Sequence, residues 1–538
     1  MKKVLLYLNT IRYLRFSQIF YRIFYKFPRI HSYKTINTNL NKPKNNWFVF
    51  KNNKKKELID NKNILLLNQQ GQIDDWKAIN KSLLWRYHIN YFDYASDDLS
   101  HEESQIVGSY IRKWIKTNID FNDSPWDPYP TSLRIINWIK FALNGNDISQ
   151  TIINSIAHQA SHLSKNIEYH LYGNHLFRNG KALCFAGLFI EGKESKKWLK
   201  AGVKILEKEI KEQILDDGGN FELSPMYHSN MIEDALDLIN LNLAYKNSNL
   251  DLITEDLVNI VPKLLNWLDK MCHPDKDISF FNDSSFNIAL SYEQLLRYSS
   301  SLGIKITPEN KFGTFHLEDS GYAITRNKNI NLICDLGSIG PDYMTGHSHA
   351  DCLSFELSIK DKRVFVNSGI SEYENSEKRI NQRKTQAHNT ISINELDSSE
   401  VWQSFKVARR AYPKSVEVED NLIVASHDGY KRNFKNITHS RKWVVTQDSI
   451  NIEDMVMGNF KSAEAFFHIH PNIIIKQPNP ESADLISDNN LICTILCPDH
   501  IIKIKDSLWF PEFGKELLNK TLCVELNANK LESSIKLS

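Results

Sequence analysis

The sequence predicts an α+β multidomain chain, in which a domain of many antiparallel helices is followed by an antiparallel β-sandwich. Two patterns and a length predict it. Apolar residues recur at helical spacing between roughly residues 75 and 305, as they do in helices with one buried face. From about Gly313 they fall instead into short alternating or β-branched runs separated by turns. At 538 residues the chain exceeds what one core supports, so two or three cores are expected.

The first segment, residues 1–74, is basic. No Asp or Glu precedes Glu57, whereas Lys and Arg recur from Lys2 to Lys56. That imbalance suits an anionic partner, either a membrane surface or an acidic glycan, while a solvated basic helix is the plainer reading. A helix over Tyr13 to Phe27 would place Leu14, Phe16, Ile19, Phe20, Ile23 and Phe24 near one side, with Arg15, Arg22 and Lys26 interspersed. The stretch is too short and too charged to span a bilayer. The opening run VLLYL is short for a secretory signal and no small-residue cleavage site follows it. A cytoplasmic location is therefore expected, with peripheral association at the inner membrane as the alternative, and no nucleic-acid partner.

Residues 75–308 carry the helical pattern, as in SLRIINWIKFAL, WLKAGVKILEKEIKEQIL and MIEDALDLINLNLAYKN. Helices joined by short polar turns make a solenoid or a closed toroid, and no repeat of fixed period decides between them. The boundary is expected in the polar stretch GIKITPENKFG. Residues 309–538 then read as sandwich strands, with hairpin-like turns at SIKDKR and NLIVASHDGYKR. A cleft where the two domains meet is the natural ligand site. Hydrophobic residues make up 41% and charged residues 24%, which excludes the disordered and fibrous classes. Seven scattered cysteines, mostly in apolar runs, read as reduced core residues rather than disulfide or zinc-knuckle pairs.

Four short segments concentrate polar and titratable side chains in apolar surroundings: YGNHLFRNG, GGNFELSPMYHSNM, GHSHADCLSFEL and RKTQAHNTISI. In the first, Asn174, His175 and Arg178 precede a helical run and can project from its N-terminus into a cleft. In the second, Glu222, Tyr227 and His228 lead into a helix. The third reads as the start of a strand whose alternation puts His347, His349 and Asp351 on one face. The fourth places His388 at another strand start, so His349, His388 and one oxygen ligand would make a zinc site with an open position. Taken singly, Asn174 is a helix cap, Tyr227 a packing residue and His388 a hydrogen-bonded core histidine.

Together and in this order, NHLFRNG, GGNFELSPMYH, GHSHADCLSFEL and AHNT resemble the heparinase II/III-like superfamily of polysaccharide lyases, over roughly residues 75 to 420. The resemblance implies an incomplete α/α toroid followed by an antiparallel β-sandwich, and β-elimination at a uronic acid of an acidic polysaccharide. By the same resemblance, Asn174 matches the group that neutralises the substrate carboxylate, and His175 its helper as base or neutraliser. Tyr227 matches the general acid, in some members also the base, and His347 completes the site from the sandwich. A phenol is a poor base near neutrality unless cations lower its pKa, a task for Arg178, His228 and Arg383. Trp126 and Tyr129 are candidates to stack on sugar faces, and Glu222 to orient a neighbour or a sugar hydroxyl. The family's metal positions match His349, His388 and Asn367, where Asn in place of Asp weakens any zinc site and leaves it a structural role.

The leading expectation is thus a lyase, linked to bacterial capsule, exopolysaccharide or lipopolysaccharide metabolism. A uronyl C5-epimerase on the same fold, or a non-catalytic glycan-binding protein of polysaccharide assembly, are the alternatives.

Overall fold

The computed structural model describes residues 2–27, 38–51, 57–58, 60–96, 99–121, 123–307, 311–433 and 436–538. Two helices lead, α1 (Lys2–Ile11) and α2 (Phe16–Phe24). A small hairpin, Asn63–Leu66 with Gln69–Gln72, separates them from the helical domain. There α3 (Leu83–Tyr91), α4 (His101–Thr117), α5 (Pro128–Leu143), α6 (Gln150–Lys165), α7 (Gly173–Phe189), α8 (Lys193–Gln213), α9 (Pro225–Tyr245), α10 (Ser248–Lys270) and α11 (Tyr292–Ser301) follow in order. Short connections make successive helices antiparallel neighbours. Their apolar faces share one core around residues such as Trp138, Phe177, Leu236 and Leu264, in an incomplete α/α toroid.

Residues 308 and 309, either side of the expected boundary, lie outside the described residues; α11 ends at Ser301 and the first sandwich strand begins at Gly313. One sheet runs in the order Ile502–Trp509, Leu517–Glu525, Ala463–Ile469, Lys362–Phe365, Phe355–Ile359, Ile330–Asp335, Tyr322–Arg326 and Gly313–Leu317, with Ile391–Ile393 also paired to Ala463–Ile469. The other runs Pro413–Glu419, Leu422–His427, Thr438–Val445, Ser449–Met457, Lys530–Leu537, Asn490–Leu496, Ser482–Ser487 and Ile474–Asn479. The strand ladders are antiparallel, and the facing sides bury a second core that includes Phe355, Trp443 and Phe467. All seven cysteines are buried and free.

The turn at SIKDKR forms the expected hairpin between Phe355–Ile359 and Lys362–Phe365. NLIVASHDGYKR also leads into an antiparallel pair of consecutive strands, Leu422–His427 with Thr438–Val445, but through a longer connection opened by the 3-10 turn Gly429–Arg432. A larger departure concerns GHSHADC, which is irregular loop, the strand beginning only at Phe355. Distant groups supply the hydrogen bonds a ladder would have made. Asn282 Oδ1 accepts from the His349 N–H (2.9 Å), the Arg383 carbonyl accepts from the Ala350 N–H (2.9 Å), and the Arg383 guanidinium donates to the Ser348 carbonyl (2.8 and 3.0 Å).

Toroid and sandwich are joined by a third apolar cluster: Leu223, Trp267, Met271 and Phe281 against Leu317, Tyr322, Ile324 and Ile333. Trp267 also donates from Nε1 to Ser320 Oγ (2.9 Å), and Tyr322 donates its hydroxyl to the Leu223 carbonyl (2.7 Å). Truncating a buried ring of this size usually costs about 3–5 kcal/mol, so the seam is a firm one. It holds the segment ahead of α9 against the sandwich, and the site forms there.

Candidate functional site

Three chain segments converge beside this seam: the start of α7, the start of α9, and the loop of residues 337–354. The turn into α7 uses two left-handed residues, Tyr172 (φ 64°) and Gly173 (φ 59°). Gly173 is also tightly enclosed, since a Cβ there would lie 2.5 Å from Met344 Sδ and 2.9 Å from Glu222 Oε1. Gly173→Ala therefore combines backbone strain with overlap. It is expected to lower the thermal midpoint and to shift Asn174 and His175, read by melting and by loss of turnover.

That turn aims Asn174 and His175 outward at the positive end of the helix. The Asn174 backbone N–H donates to Glu222 Oε1 (3.2 Å), and its side-chain amide makes a long contact to the Tyr129 hydroxyl (3.4 Å). His175 bonds Glu168 Oε1 through Nδ1 (3.0 Å) and stacks on Tyr129, ring centroids 4.3 Å apart. Glu168 is itself held by Asn179.

In α9 the N-cap Ser224 accepts from the Tyr227 N–H (3.2 Å), and Pro225 opens the helix, so Tyr227 is fixed in its first turn. Its ring lies 3.9 Å from that of His347, and its hydroxyl bonds that of Tyr373 (3.0 Å). Burial first, then Tyr373 and the Asp283 charge, hold the Tyr227 phenol well above its ordinary pKa. It is a proton donor at any physiological pH.

His347 sits in the loop with Nδ1 bonded to Asp283 Oδ2 (2.9 Å) and Nε2 at 3.6 Å from Glu222 Oε2. Asp283 is fully buried in the connection between α10 and α11. Burial opposes its charge, but Arg379 overcomes this with paired contacts of 2.5 and 2.7 Å, and His347 and His349 add hydrogen bonds; the carboxyl is held well below its usual range. An ionised Asp283 accepts the hydrogen bond of the His347 Nδ1–H, which leaves Nε2 as the bare acceptor of the neutral ring. Glu222 is pushed upward chiefly by burial, and its Oε2 has no hydrogen-bond partner among the described residues.

Asp283 also accepts from His349 Nε2 (2.8 Å), turning His349 Nδ1 toward a second cluster. Ligand atoms of His349, Asp351 and His388 all lie within 4.8 Å of one another. Among the described residues, His349 Nδ1, both nitrogens of His388 and Asn367 Nδ2 are buried without a hydrogen-bond partner. Burial lowers His349 to about 4 and His388 well below its ordinary value, so both rings are neutral and able to ligate. The unpartnered ring nitrogens of His349 and His388 beside the Asp351 carboxylate fit a cation with nitrogen and carboxylate ligands, whereas the Asn367 amide nitrogen cannot ligate and its Oδ1 accepts from the Asn389 N–H. The negative charge that Asn367 lacks is present in Asp351.

Several residues singled out from sequence lie elsewhere. Trp126 is 3% exposed, packed on Phe121 and Trp114 with Nε1 bonded to the Asn118 carbonyl, so it faces the core and no sugar. Tyr129 does line the site. None of the three expected cations lowers the Tyr227 phenol, which is raised instead. Arg178 pairs with Asp234 (3.0 Å), in a buried network with Lys181, Lys140 and Asp237 that lines a cavity of about 140 Å³. His228 is neutral, lowered to about 4 by burial and bonded to the Leu264 carbonyl (2.8 Å). Arg383 is spent on the carbonyls of Ser348, Gln403 and Ser404. Residues that sequence reasoning passed over are Asp283, Arg379, Tyr373 and Glu168; Asp351 was singled out beside His349 in GHSHAD, but the metal set named Asn367 in its place.

The chain matches two family models, heparinase II/III N-terminus over residues 106–303 and heparinase II/III-like, C-terminal over residues 310–538. Among curated proteins it is 27% identical over 407 residues to a heparin-sulfate lyase of Pedobacter heparinus, covering 68% of this chain and 59% of that one. It is 26% identical over 408 residues to a heparin-sulfate lyase of Bacteroides thetaiotaomicron, covering 65% and 56%. The chain thus spans between half and two thirds of the length of these relatives. Among solved structures, a heparinase III superposes with a TM-score of 0.68 at 19% identity, covering 87% of this chain and 79% of that one. A mutant heparan sulfate lyase from Pedobacter heparinus gives 0.58 at 19% identity, covering 87% and 79%. With family models spanning most of its length and the toroid-plus-sandwich fold shared with those structures, this chain belongs to the heparinase II/III-like family.

Proposed function

We propose that the chain is a polysaccharide lyase that cleaves a uronic-acid-containing acidic polysaccharide by β-elimination. One observation carries the reading: a phenol kept protonated, Tyr227, stacks at 3.9 Å on an imidazole, His347, whose other side is fixed by an ionised carboxylate. A general acid and a general base side by side suit a reaction that removes the C5 proton and protonates the oxygen on C4.

In this mechanism the substrate carboxylate lies against the start of α7, where Asn174 turns its amide from the long Tyr129 contact onto it. The helix end favours the charge as well, beside Glu222, whose carboxyl burial pushes upward. Both make the C5 proton more acidic. His347 Nε2 takes that proton, its electrons form the C4–C5 double bond, and the C4–O bond breaks. The departing oxygen receives the proton of Tyr227. His175, held by Glu168 and Tyr129, positions the uronate. The cluster of His349, Asp351 and His388, with Asn367 beside them, would hold a zinc ion that braces the sandwich wall through Asp283. Purified protein prepared without chelator is expected to carry close to one zinc by elemental analysis, and His388→Ala to lose both the zinc and several degrees of thermal midpoint; metal-free protein with an unchanged midpoint would refute the site.

Its relatives' names put heparan sulfate first among the substrates, and a place beside bacterial capsule, exopolysaccharide or lipopolysaccharide metabolism is part of the same reading. Incubation with heparan, alginate, hyaluronan and bacterial capsule glycans, followed by ultraviolet absorbance of unsaturated uronate ends, tests it. Absorbance should rise with at least one of them; no rise with any, under conditions where the protein is folded, would count against the reading.

A further inference from the structure

Helices α1 and α2 are amphipathic in an unusual sense, because their polar side faces the protein and their apolar side faces solvent. Inward, Gln18 donates to the Tyr343 carbonyl (3.1 Å), Ser17 bonds the Tyr172 hydroxyl (2.7 Å), and Thr10, whose hydroxyl donates to the Leu6 carbonyl (2.8 Å), accepts from Trp402 Nε1 (3.1 Å). Arg15 lies 3.6 Å above the Tyr343 ring. The two helices therefore strap the toroid to the sandwich with specific contacts, so their orientation is set. Outward, Val4, Leu8 and Ile11 on α1 and Phe16, Phe20 and Ile23 on α2 recur at intervals of three and four and are exposed, Phe16 to 82% and Val4 to 60%. Isolated exposed apolar residues are ordinary, but a continuous stripe along two anchored helices marks an interaction surface.

We propose that this face docks the protein onto an anionic membrane surface. Charge chooses the occupant. Lys3, Arg12, Arg22 and Lys26 are exposed around the stripe, and no acidic residue occurs before Glu57. An interfacial helix buries its apolar side at the headgroup boundary while basic side chains meet anionic lipid, and each such charge strengthens partitioning. A second copy of the same face would bring like charges together, which disfavours self-association. No described helix is long and apolar enough to cross a membrane, in keeping with a helix pair that lies on the surface. The straps touch Tyr172, in the turn into α7, and Tyr343, four residues ahead of His347, so docking holds the candidate cleft beside the lipid surface. The inference does not rest on the lyase reading.

Flotation of the full chain with vesicles tests it. Wild-type protein should float with phosphatidylglycerol–phosphatidylcholine vesicles, much less with phosphatidylcholine alone, and less as salt rises. Two variants, Phe16→Ser/Phe20→Ser/Ile23→Ser and Lys3→Gln/Arg22→Gln/Lys26→Gln, should each bind at least about tenfold more weakly while keeping the wild-type thermal midpoint. Absence of binding to the anionic vesicles would overturn the proposal, as would binding that neither variant weakens. So would a lipid-free dimer, seen by light scattering, that the apolar variant dissolves, because the face would then belong to a second copy.

Discussion

Tyr227→Phe is expected to lower kcat by about 10²–10⁴-fold, with KM changed far less. The substitution keeps the ring that packs on His347 and removes only the hydroxyl, which bonds that of Tyr373. Stability should therefore change little, since one partly buried hydrogen bond contributes about 1 kcal/mol. The loss would fall on the step in which the C4–O bond breaks, where an unprotonated alkoxide is a poor leaving group. Because burial holds the phenol well above 10, the proton stays on Tyr227 throughout the neutral and mildly alkaline range. The rate profile of the wild type should accordingly show no alkaline decline below about pH 10 that disappears in the Phe variant. Full activity in Tyr227→Phe would remove the residue from the mechanism.

Asp283→Asn should be damaging in two separable ways. The carboxylate is wholly buried and joins Arg379, His347 and His349, so neutralising it leaves the Arg379 charge without its partner, at a cost of about 3–5 kcal/mol. A large drop in thermal midpoint checks that part. The second effect is on His347, whose Nδ1 loses the ionised acceptor that keeps Nε2 bare and aimed. Orienting carboxylates of this kind are worth about 10²–10⁴-fold in rate, so kcat should fall at temperatures where the variant is still folded, with KM affected far less. A variant that melts early yet turns over normally when folded would mean that Asp283 is only a structural ion-pair partner.

Most of the architecture was legible because it depends on short-range periodicity. The recurrence in MIEDALDLINLNLAY becomes α9, and the runs INLICD and SRKWVV become strands, since each segment buries one side or both against a neighbour. The loop GHSHADC was misleading for a physical reason. Its alternation imitates a strand, but its backbone groups are satisfied by Asn282 and Arg383. Asp283 was invisible for a related one, as its partners His347 and Arg379 stand 64 and 96 residues away and no local pattern marks it. The expected cationic field on Tyr227 failed because a sequence shows charges and not their debts: Arg178 is held by Asp234 and Arg383 by carbonyls. Asn174, His175, Tyr227 and His347 were all legible as candidates, each beside a glycine, a proline or a cap that sets a local turn.

The most direct test follows one substrate chain in deuterated water by mass spectrometry and proton NMR. Elimination predicts fragments ending in a C4–C5 unsaturated uronate, each pair lighter by one water than hydrolysis would give, with no deuterium gained at C5 in uncleaved chain. Intact polysaccharide carrying deuterium at C5, or fragments with saturated ends, would contradict the β-elimination assigned to this site.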